Sequence, residues 1–155
     1  MTDEAAFLQA LASRGSVRPR VAGIVVKDSE VLVQRPVDEP QASYAFVGGE
    51  YEWGDTFRSR LQAEFAEETN CRVTRATYLF VVENRFAYNG RLIHSLEHYF
   101  DVEIDRRDVQ SRETHLSFHW LSLSRFAELD VRPHVVRDVI ASGKYRDVRH
   151  LVVPY

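Results

Sequence analysis

The sequence has a single cysteine, no long apolar run and no excess of basic residues. Cys71 alone cannot form a disulfide within the chain, and the N-terminal residues lack the hydrophobic core of a signal peptide. These two features predict a cytoplasmic protein. No apolar stretch approaches the ~20 residues of a membrane-spanning helix, so we expect no membrane partner. The net charge of −3 offers none of the basic surface that is typical of nucleic-acid binding.

Composition predicts an ordinary folded domain. Of the 155 residues, 45% are hydrophobic and 28% are charged, which is typical of globular rather than disordered proteins. A chain of this length can bury a substantial core. We find no internal repeat, no low-complexity segment and no linker that would divide it. We therefore expect a single domain over residues 1–155.

The order of predicted elements indicates an α/β fold. Residues 3–13 have the pattern of a short amphipathic helix, and a C-terminal helix is expected from Pro133 to near Gly143. The Asn89-Gly90 pair is the strongest turn signal and predicts a hairpin around it. Apolar or alternating runs predict strands over 21–26, 31–34, 44–47, 73–82, 92–104, 118–121 and, at an edge, 150–153. A mixed sheet with helices on its faces follows from this order.

A helix that follows the glycine pair 48–49 organises the rest of the chain. Its apolar residues recur at every fourth position as Phe57, Leu61 and Phe65. Asp55 or Thr56 can cap its N-terminus, and Asn70 can end it in the left-handed conformation. The glycines before it allow the backbone to approach a ligand closely.

The acids of this helix do not lie where a surface helix would place them. At ~100° per residue, Glu64 and Glu68 both fall within about 20° of Phe57, while Glu67 falls about 80° away. Because unpaired carboxylates are costly to bury, a cation must neutralise them. Mg²⁺ is the natural candidate, since it binds through carboxylate oxygens and substrate phosphates. A capped amphipathic helix with solvated acids is the alternative, and it does not explain this placement.

Residues 49–71 resemble the Nudix box, whose pattern is G-x5-E-x7-R-E-U-x-E-E-x-G-U with U an aliphatic residue. Gly49 matches the leading glycine, and Glu64, Glu67 and Glu68 match the glutamates of the final E-U-x-E-E. The chain departs from the pattern at Asp55 for the first glutamate, Ala63 for the arginine, Asn70 for the late glycine, and Phe65 and Cys71 for aliphatic residues.

The resemblance, which covers roughly residues 21–142, implies a Nudix-type α/β/α sandwich with a mixed β-sheet. It also implies metal-dependent hydrolysis of a pyrophosphate bond in a nucleoside diphosphate linked to another group, by attack of a metal-activated water on phosphorus. Mg²⁺ is the expected cofactor, with Mn²⁺ as a substitute. A small nucleotide is the expected substrate rather than a nucleic acid, and the sequence leaves a homodimer open.

By the same resemblance, Glu67 and Glu68 are metal ligands, and Glu64 is either a further ligand or the base that activates water. Glu113 lies in a segment that supplies an additional acidic ligand in some family members, although a solvated loop acid explains it equally well. Glu97 is a second candidate for substrate or metal binding. Its alternation with apolar neighbours along the strand instead favours a place on the exposed face.

Arg60 is the candidate replacement for the arginine that the pattern places at Ala63. On the helical wheel it falls near 300°, between Glu67 and Glu64, and it precedes Glu64 at the spacing where helical side chains meet. We therefore assign it to the catalytic group together with Glu64. Arg58 points away on the same wheel. The alternative is that Arg60 is a solvated helix residue.

Substrate contacts are expected from the backbone of Gly48 and Gly49 and from Arg35, which begins a loop bordering the predicted pocket. The loops over 35–42, 84–91 and 105–116 should set specificity, but none has a readable signature. Two other functions stay open. A Nudix-like nucleotide-binding module with little turnover is suggested by the departures at the box. An isoprenoid pyrophosphate isomerase would need a catalytic cysteine in a loop, whereas Cys71 is expected to be a small buried residue.

Overall fold

The computed structural model describes residues 2–155. The α-helices are α1 (Asp3–Arg14), α2 (Phe57–Glu68) and α3 (His134–Ala141), and a 3-10 helix spans Leu123–Glu128. The strands are β1 (Val17–Ile24), β2 (Val26–Lys27), β3 (Glu30–Pro36), β4 (Val47–Glu50), β5 (Val73–Tyr88), β6 (Arg91–Ile104), β7 (Leu116–Ser122) and β8 (His150–Val152). None of the helices within residues 2–155 is long and apolar enough to cross a membrane.

Two sheets form the centre of the fold. The larger has the strand order β4-β1-β6-β5-β8, and the smaller has the order β2-β3-β7. In the larger sheet β1 runs parallel to β6 and β5 runs parallel to β8, while the other pairs are antiparallel. The hairpin between β5 and β6 turns at Asn89 and Gly90, which both have positive φ, as this type of turn requires. The predicted mixed sheet is thus confirmed.

Helices cover both faces of the larger sheet. On one face, Leu61 and Phe65 of α2 are fully buried against a cluster that includes Val21, Phe100 and Val102. Each such side chain stabilises the fold by ~1.5–3 kcal/mol through burial. On the other face, α3 and the 3-10 helix pack with residues of β1, β5 and β6. The predicted α/β/α sandwich is therefore confirmed, and α2 is fixed on the sheet by its apolar residues.

The glycine pair differs from its prediction. Gly48 and Gly49 lie inside the edge strand β4, opposite Ala22 and Val21 of β1, rather than in a loop after a strand. A Cβ on Gly48 would overlap the carbonyl oxygen of Val21. The absent side chain therefore serves close strand pairing here. The strand predicted over 44–47 begins only at Val47.

The central strand β6 also differs. We expected Glu97 on an exposed face, and it is buried together with Ser95 and Tyr99, which lie on the same side of the strand. The expectation was wrong because β6 lies third of five strands and both of its faces are covered. Phe100 and Val102 belong to the cluster under α2, whereas Tyr99 belongs to the cluster under α3. Alternating polar residues therefore mark a buried polar surface here, not a solvent-facing one.

Candidate active site

The start of α2 is fixed by a network of short contacts. The side chain of Thr56 accepts a hydrogen bond from the Ser59 amide, and Ser59 Oγ accepts one from the Thr56 amide, which forms a capping box. Asp55 accepts a hydrogen bond from the Glu52 amide at 2.9 Å. Thr56 is thus the cap, and Asp55 organises the loop that leads to it.

The end of α2 is built differently from its prediction. Thr69 ends the helix in an extended conformation, and Asn70 is not among the non-glycine residues with positive φ. The Asn70 side chain instead donates to the carbonyl oxygen of Asp108 at 3.0 Å and accepts from the Gln110 amide at 2.9 Å. It therefore anchors the loop after β6 to the acidic end of α2.

Arg60, in the first turn of this helix, lies among acids of the preceding loop and of the later turns. Its side chain is only 10% exposed. Four carboxylates contact its guanidinium, at 3.2 Å from Glu52, 3.6 Å from Asp55, 3.5 Å from Glu64 and 3.5 Å from Glu67. Arg58 instead donates to the carbonyl oxygen of Ala76 on the neighbouring strand. The structure therefore brings Arg60, and not Arg58, into contact with the acidic cluster.

Glu64 packs against the backbone of β4. A Cβ on Gly49 would overlap its carboxylate, so any larger residue at that position would displace the Glu64 side chain. Burial raises the pKa of Glu64 above its ordinary value; the charge of Arg60 opposes this rise, and the charge of Glu67 adds to it. Glu64 is thus a partly buried carboxylate held between a glycine backbone and an arginine.

At Glu68 the neighbouring positive charge does not offset the effects of burial and of the nearby acids. Burial, reinforced by the negative charge of Glu64, raises its pKa to about 8, even though the charge of Arg20 opposes the rise. Its Oε2 atom is buried and has no hydrogen-bond partner among the described residues. A bound cation would satisfy this oxygen and return the carboxyl group to its ionised form.

Glu67 and Glu113 complete the set of predicted metal ligands, and both side chains are exposed, at 61% and 43%. The loop that holds Glu113 is tied to the end of α2, since Arg112 donates its amide to the Glu68 carbonyl oxygen and its guanidinium to that of Ala66. The charge of Glu113 contributes to the raised pKa of Glu68. The fold therefore brings this distant acid close to the helix.

As they stand, no three His, Cys, Asp or Glu side chains within residues 2–155 converge on one point as metal ligands. Glu64 and Glu67 point to Arg60 instead. The residues nevertheless fit a hard divalent cation, because carboxylates at i, i+3 and i+4 share one side of a helix and the Glu68 oxygen lacks a partner.

A cavity of about 1180 Å³ adjoins this cluster. Its wall includes Glu68 and Gly48 at the acidic end and Arg35 and Glu97 farther along. Arg35 lies over the ring of Tyr44, 4.8 Å from its centre, and donates to the carbonyl oxygen of Pro40. The volume is large enough for a nucleotide-sized molecule. Three of the four predicted substrate-binding residues thus line a single cavity, and Gly49 does not.

Sequence reasoning missed Arg20, which lines the same cavity. It forms an ion pair with Glu97, at 3.1 Å between Nη1 and Oε2. The signal was present, because Arg18 and Arg20 alternate with Val17, Pro19 and Val21 at strand spacing. The predicted strand began at Val21, so both arginines were left outside it.

Cys71 is buried, as predicted, and burial raises the pKa of its thiol. It packs in the cluster beneath α2 together with Phe65. A buried thiol with a raised pKa is a poor nucleophile. The structure therefore offers no support for an isomerase that acts through this cysteine.

A scan against protein families finds the NUDIX domain over residues 17–141. Because the match covers most of the chain, this protein belongs to the Nudix family. A search of curated proteins finds no match.

Solved structures share the fold. A MutT NUDIX hydrolase from Burkholderia pseudomallei is 22% identical, with a TM-score of 0.63 over 81% of this chain and 96% of that one. A MutT protein from Bacillus halodurans is 15% identical, with a TM-score of 0.70 over 86% of this chain and 87% of that one. The ORF135 protein of Escherichia coli is 24% identical, with a TM-score of 0.61 over 83% and 89% of the two chains. At these identities the likeness supports the fold alone.

Proposed function

We propose that this protein hydrolyses a pyrophosphate bond in a nucleoside diphosphate linked to another group. One observation carries the proposal: the uncompensated carboxyl group of Glu68 lies beside Glu64 at the end of a nucleotide-sized cavity. Membership of the Nudix family supports hydrolysis of this class of bond. The substrate is a small soluble molecule, and the protein acts in the cytoplasm.

Glu67 and Glu68, with Glu64 and Glu113, would hold Mg²⁺, for which Mn²⁺ can substitute. When bound, the metal neutralises phosphate charge and assists both the attacking water and the leaving oxygen. Glu68 supplies the oxygen that has no protein partner. Glu113 enters from the loop that Arg112 ties to α2.

If Glu64 is not itself a metal ligand, it is the proposed base that accepts the proton of the attacking water. Its raised pKa makes its carboxylate a better proton acceptor than an exposed one. The new bond forms between the water oxygen and phosphorus, and the bond from phosphorus to the bridging oxygen breaks. The backbone of Gly48 and the guanidinium of Arg35, which line the cavity, and the backbone of the adjacent Gly49 are the proposed contacts to the substrate.

Arg60 is a positioning residue in this mechanism. It contacts Glu64 and Glu67 but also Glu52 and Asp55 of the preceding loop, so it joins the two segments that carry the acids. It does the work that the family pattern gives to an arginine at the position of Ala63.

The experiment is a panel of nucleoside triphosphates, dinucleoside polyphosphates, ADP-ribose and nucleotide sugars, assayed with Mg²⁺ and with Mn²⁺. We expect metal-dependent release of a phosphate-bearing product from at least one class. In ¹⁸O-labelled water the label should appear on a phosphate product. Label found only on a carbon-bound hydroxyl group would mean that another bond is broken.

One observation favours a second function, a nucleotide-binding module with little turnover. Arg60 forms ion pairs with Glu64 and Glu67, two of the proposed metal ligands. Nucleotide binding without product release over the whole panel would support this module. Metal-dependent turnover of any compound would exclude it.

A further inference from the structure

The cavity beside the acidic cluster has an unusual share of unsatisfied polar atoms. Within residues 2–155, four buried side-chain atoms lack a hydrogen-bond partner, and three of their residues line this cavity: Arg20 through Nε, Gln34 through Oε1 and Glu68 through Oε2. A buried donor or acceptor without a partner is costly. Three of them around one space indicate that a polar ligand completes their hydrogen bonding.

Arg20 is the cation of this set, and its position is fixed by strand pairing. On β1 it lies directly opposite Glu97 of β6 on one side and Glu50 of β4 on the other. Its ion pair with Glu97 uses Nη1. Among the described residues, Nε is buried without a partner, whereas Nη2 forms no hydrogen bond and is not among the buried atoms. Because the side chain is 27% exposed, this part of the guanidinium is available to a ligand.

Glu97 is held too firmly to be a direct ligand itself. The residue is only 3% exposed. Its Oε2 contacts Arg20 and Ser95, and its Oε1 accepts from Asn84 and Tyr99. Both oxygens thus have donors from the protein. A buried carboxylate with all of its donors in place orients the arginine that it pairs with.

Arg20 shares its cavity with the acidic cluster. Glu68 and Glu97 line the same cavity as Arg20, and the ion pair with Glu97 holds the guanidinium there. An anionic group that contacts Glu68 through a cation would therefore occupy the cavity that Arg20 lines.

We infer that Arg20 binds a phosphate group of the substrate, and that Glu97 is the residue that positions it. The inference rests on the proposed function, because it assigns the phosphate end of the substrate to the space between Arg20 and Glu68. Guanidinium donors suit phosphate oxygens, since both are charged and their hydrogen bonds are short and strong. The nucleoside then occupies the remainder of the cavity.

The test uses methylenediphosphonate, a pyrophosphate analogue that cannot be hydrolysed and carries no base. Its affinity is measured by calorimetry in the presence of Mg²⁺. We expect Arg20→Gln to weaken binding by at least ~10-fold, and Arg20→Lys, which keeps the charge but loses the planar fork, by about 3-fold. The double variant Arg20→Gln/Glu97→Gln replaces the ion pair with a neutral pair of similar size, and it should weaken binding as much as Arg20→Gln.

Arg18→Gln is the matched control. Arg18 lies two positions away on the same strand, lines the same cavity and is likewise buried and ion-paired, with Glu50, which keeps a second partner in Arg14. We expect Arg18→Gln to change the affinity for the analogue by less than ~2-fold, because Arg18 lies about 7 Å farther along the strand than Arg20. Equal affinities for folded Arg20→Gln, the double variant and Arg18→Gln would overturn the inference.

The two proposals fail separately. If the wild-type protein cleaves a compound of the panel but the Arg20 variants bind methylenediphosphonate as it does, only the phosphate contact is wrong. If the wild-type protein neither cleaves any compound nor binds the analogue, the proposed function fails and the inference fails with it. If the Arg20 variants lose affinity while melting at the wild-type temperature, the phosphate contact is supported.

Discussion

Helix α2 carries acids in two opposite electrostatic settings. Arg60 lies in its first turn, and the guanidinium of this residue lies within 3.6 Å of four carboxylates, those of Glu52, Asp55, Glu64 and Glu67. Glu68, the last residue of the helix, instead has a buried oxygen without a hydrogen-bond partner among the described residues and a pKa raised to about 8. The fold thus pairs the first set of acids with an internal cation, whereas at Glu68 burial outweighs the neighbouring positive charge.

This difference explains how a single helix can be both stable and reactive. Arg60 compensates the acids that fix the loop before α2, so that segment keeps its shape without a ligand. Glu68 destabilises the free protein, because a carboxylate with a raised pKa costs free energy to ionise. A group that binds there recovers this free energy, which makes the uncompensated end the natural place for a cation.

The largest effect should come from removing the uncompensated acid. We expect Glu68→Gln to lower turnover by at least ~100-fold at limiting Mg²⁺, because the variant loses the ligand charge that the cluster offers to a cation. The measurement is kcat on the best compound of the panel as a function of Mg²⁺ concentration. Turnover equal to wild type at saturating substrate and limiting Mg²⁺ would show that Glu68 is not a ligand.

The same acid predicts an inverted pH dependence of stability in the metal-free protein. Between the ordinary carboxyl pKa and about 8, folded Glu68 binds a proton that the unfolded chain has released. The contribution of this group to the free energy of unfolding therefore falls as pH rises through this window. We expect Glu68→Gln to be more stable than wild type above pH 8 by at least ~1 kcal/mol, or about 2–4 °C in Tm.

Thermal melts in a chelator, at several pH values, measure this difference. At pH 4, where the carboxyl group is protonated in both states, the two proteins should melt at nearly the same temperature. Mg²⁺ should raise the Tm of wild type more than that of the variant, since it binds the folded state. If the difference in Tm between the two proteins stays constant across pH, Glu68 affects stability by something other than its ionisation.

Much of the fold could be predicted because it follows from short-range patterns. The period of Phe57, Leu61 and Phe65 predicted α2, and the Asn89-Gly90 pair predicted the long hairpin. Both are confirmed. The environment of Glu97 could not be predicted, because an alternating strand does not reveal whether its polar side faces water or a polar cavity.

The contacts of the candidate site likewise divide into those that local sequence predicts and those that it does not. The approach of Arg60 to Glu64 follows from helix geometry, which fixes the separation of residues four apart. The approach of Arg20 to Glu97 depends on the parallel pairing of two strands that are distant in sequence. The anchoring of the Glu113 loop by Asn70 and Arg112 depends on tertiary contacts in the same way. No local pattern specifies these contacts.

A smaller effect is expected from removing Arg60, which pairs with the acids of the cluster. Arg60→Ala should lower kcat/KM by ~1 kcal/mol or more of transition-state stabilisation, roughly 5-fold, because Glu64 and Glu67 lose the cation that orients them. Arg58→Ala is the control, since Arg58 contacts the Ala76 carbonyl oxygen and no acid of the cluster. The comparison is made from kcat/KM at saturating Mg²⁺, with Tm measured for both. Equal losses would mean that the protein needs no arginine at the cluster.

The smallest effect should come from Glu113. Its side chain is 43% exposed, and it reaches the cluster only through a loop, so its contribution to holding a cation is weaker than that of Glu68. We expect Glu113→Gln to raise the Mg²⁺ concentration for half-maximal turnover by about 3-fold, with little change in kcat at saturating metal. Glu128 is an exposed acid on the 3-10 helix, and Glu128→Gln should leave both values unchanged.

Because solvent screens an exposed acid, a purely solvated Glu113 would behave like Glu128. A shift confined to Glu113→Gln would instead show that the loop tied to α2 by Arg112 extends the uncompensated end of the helix by one more carboxylate.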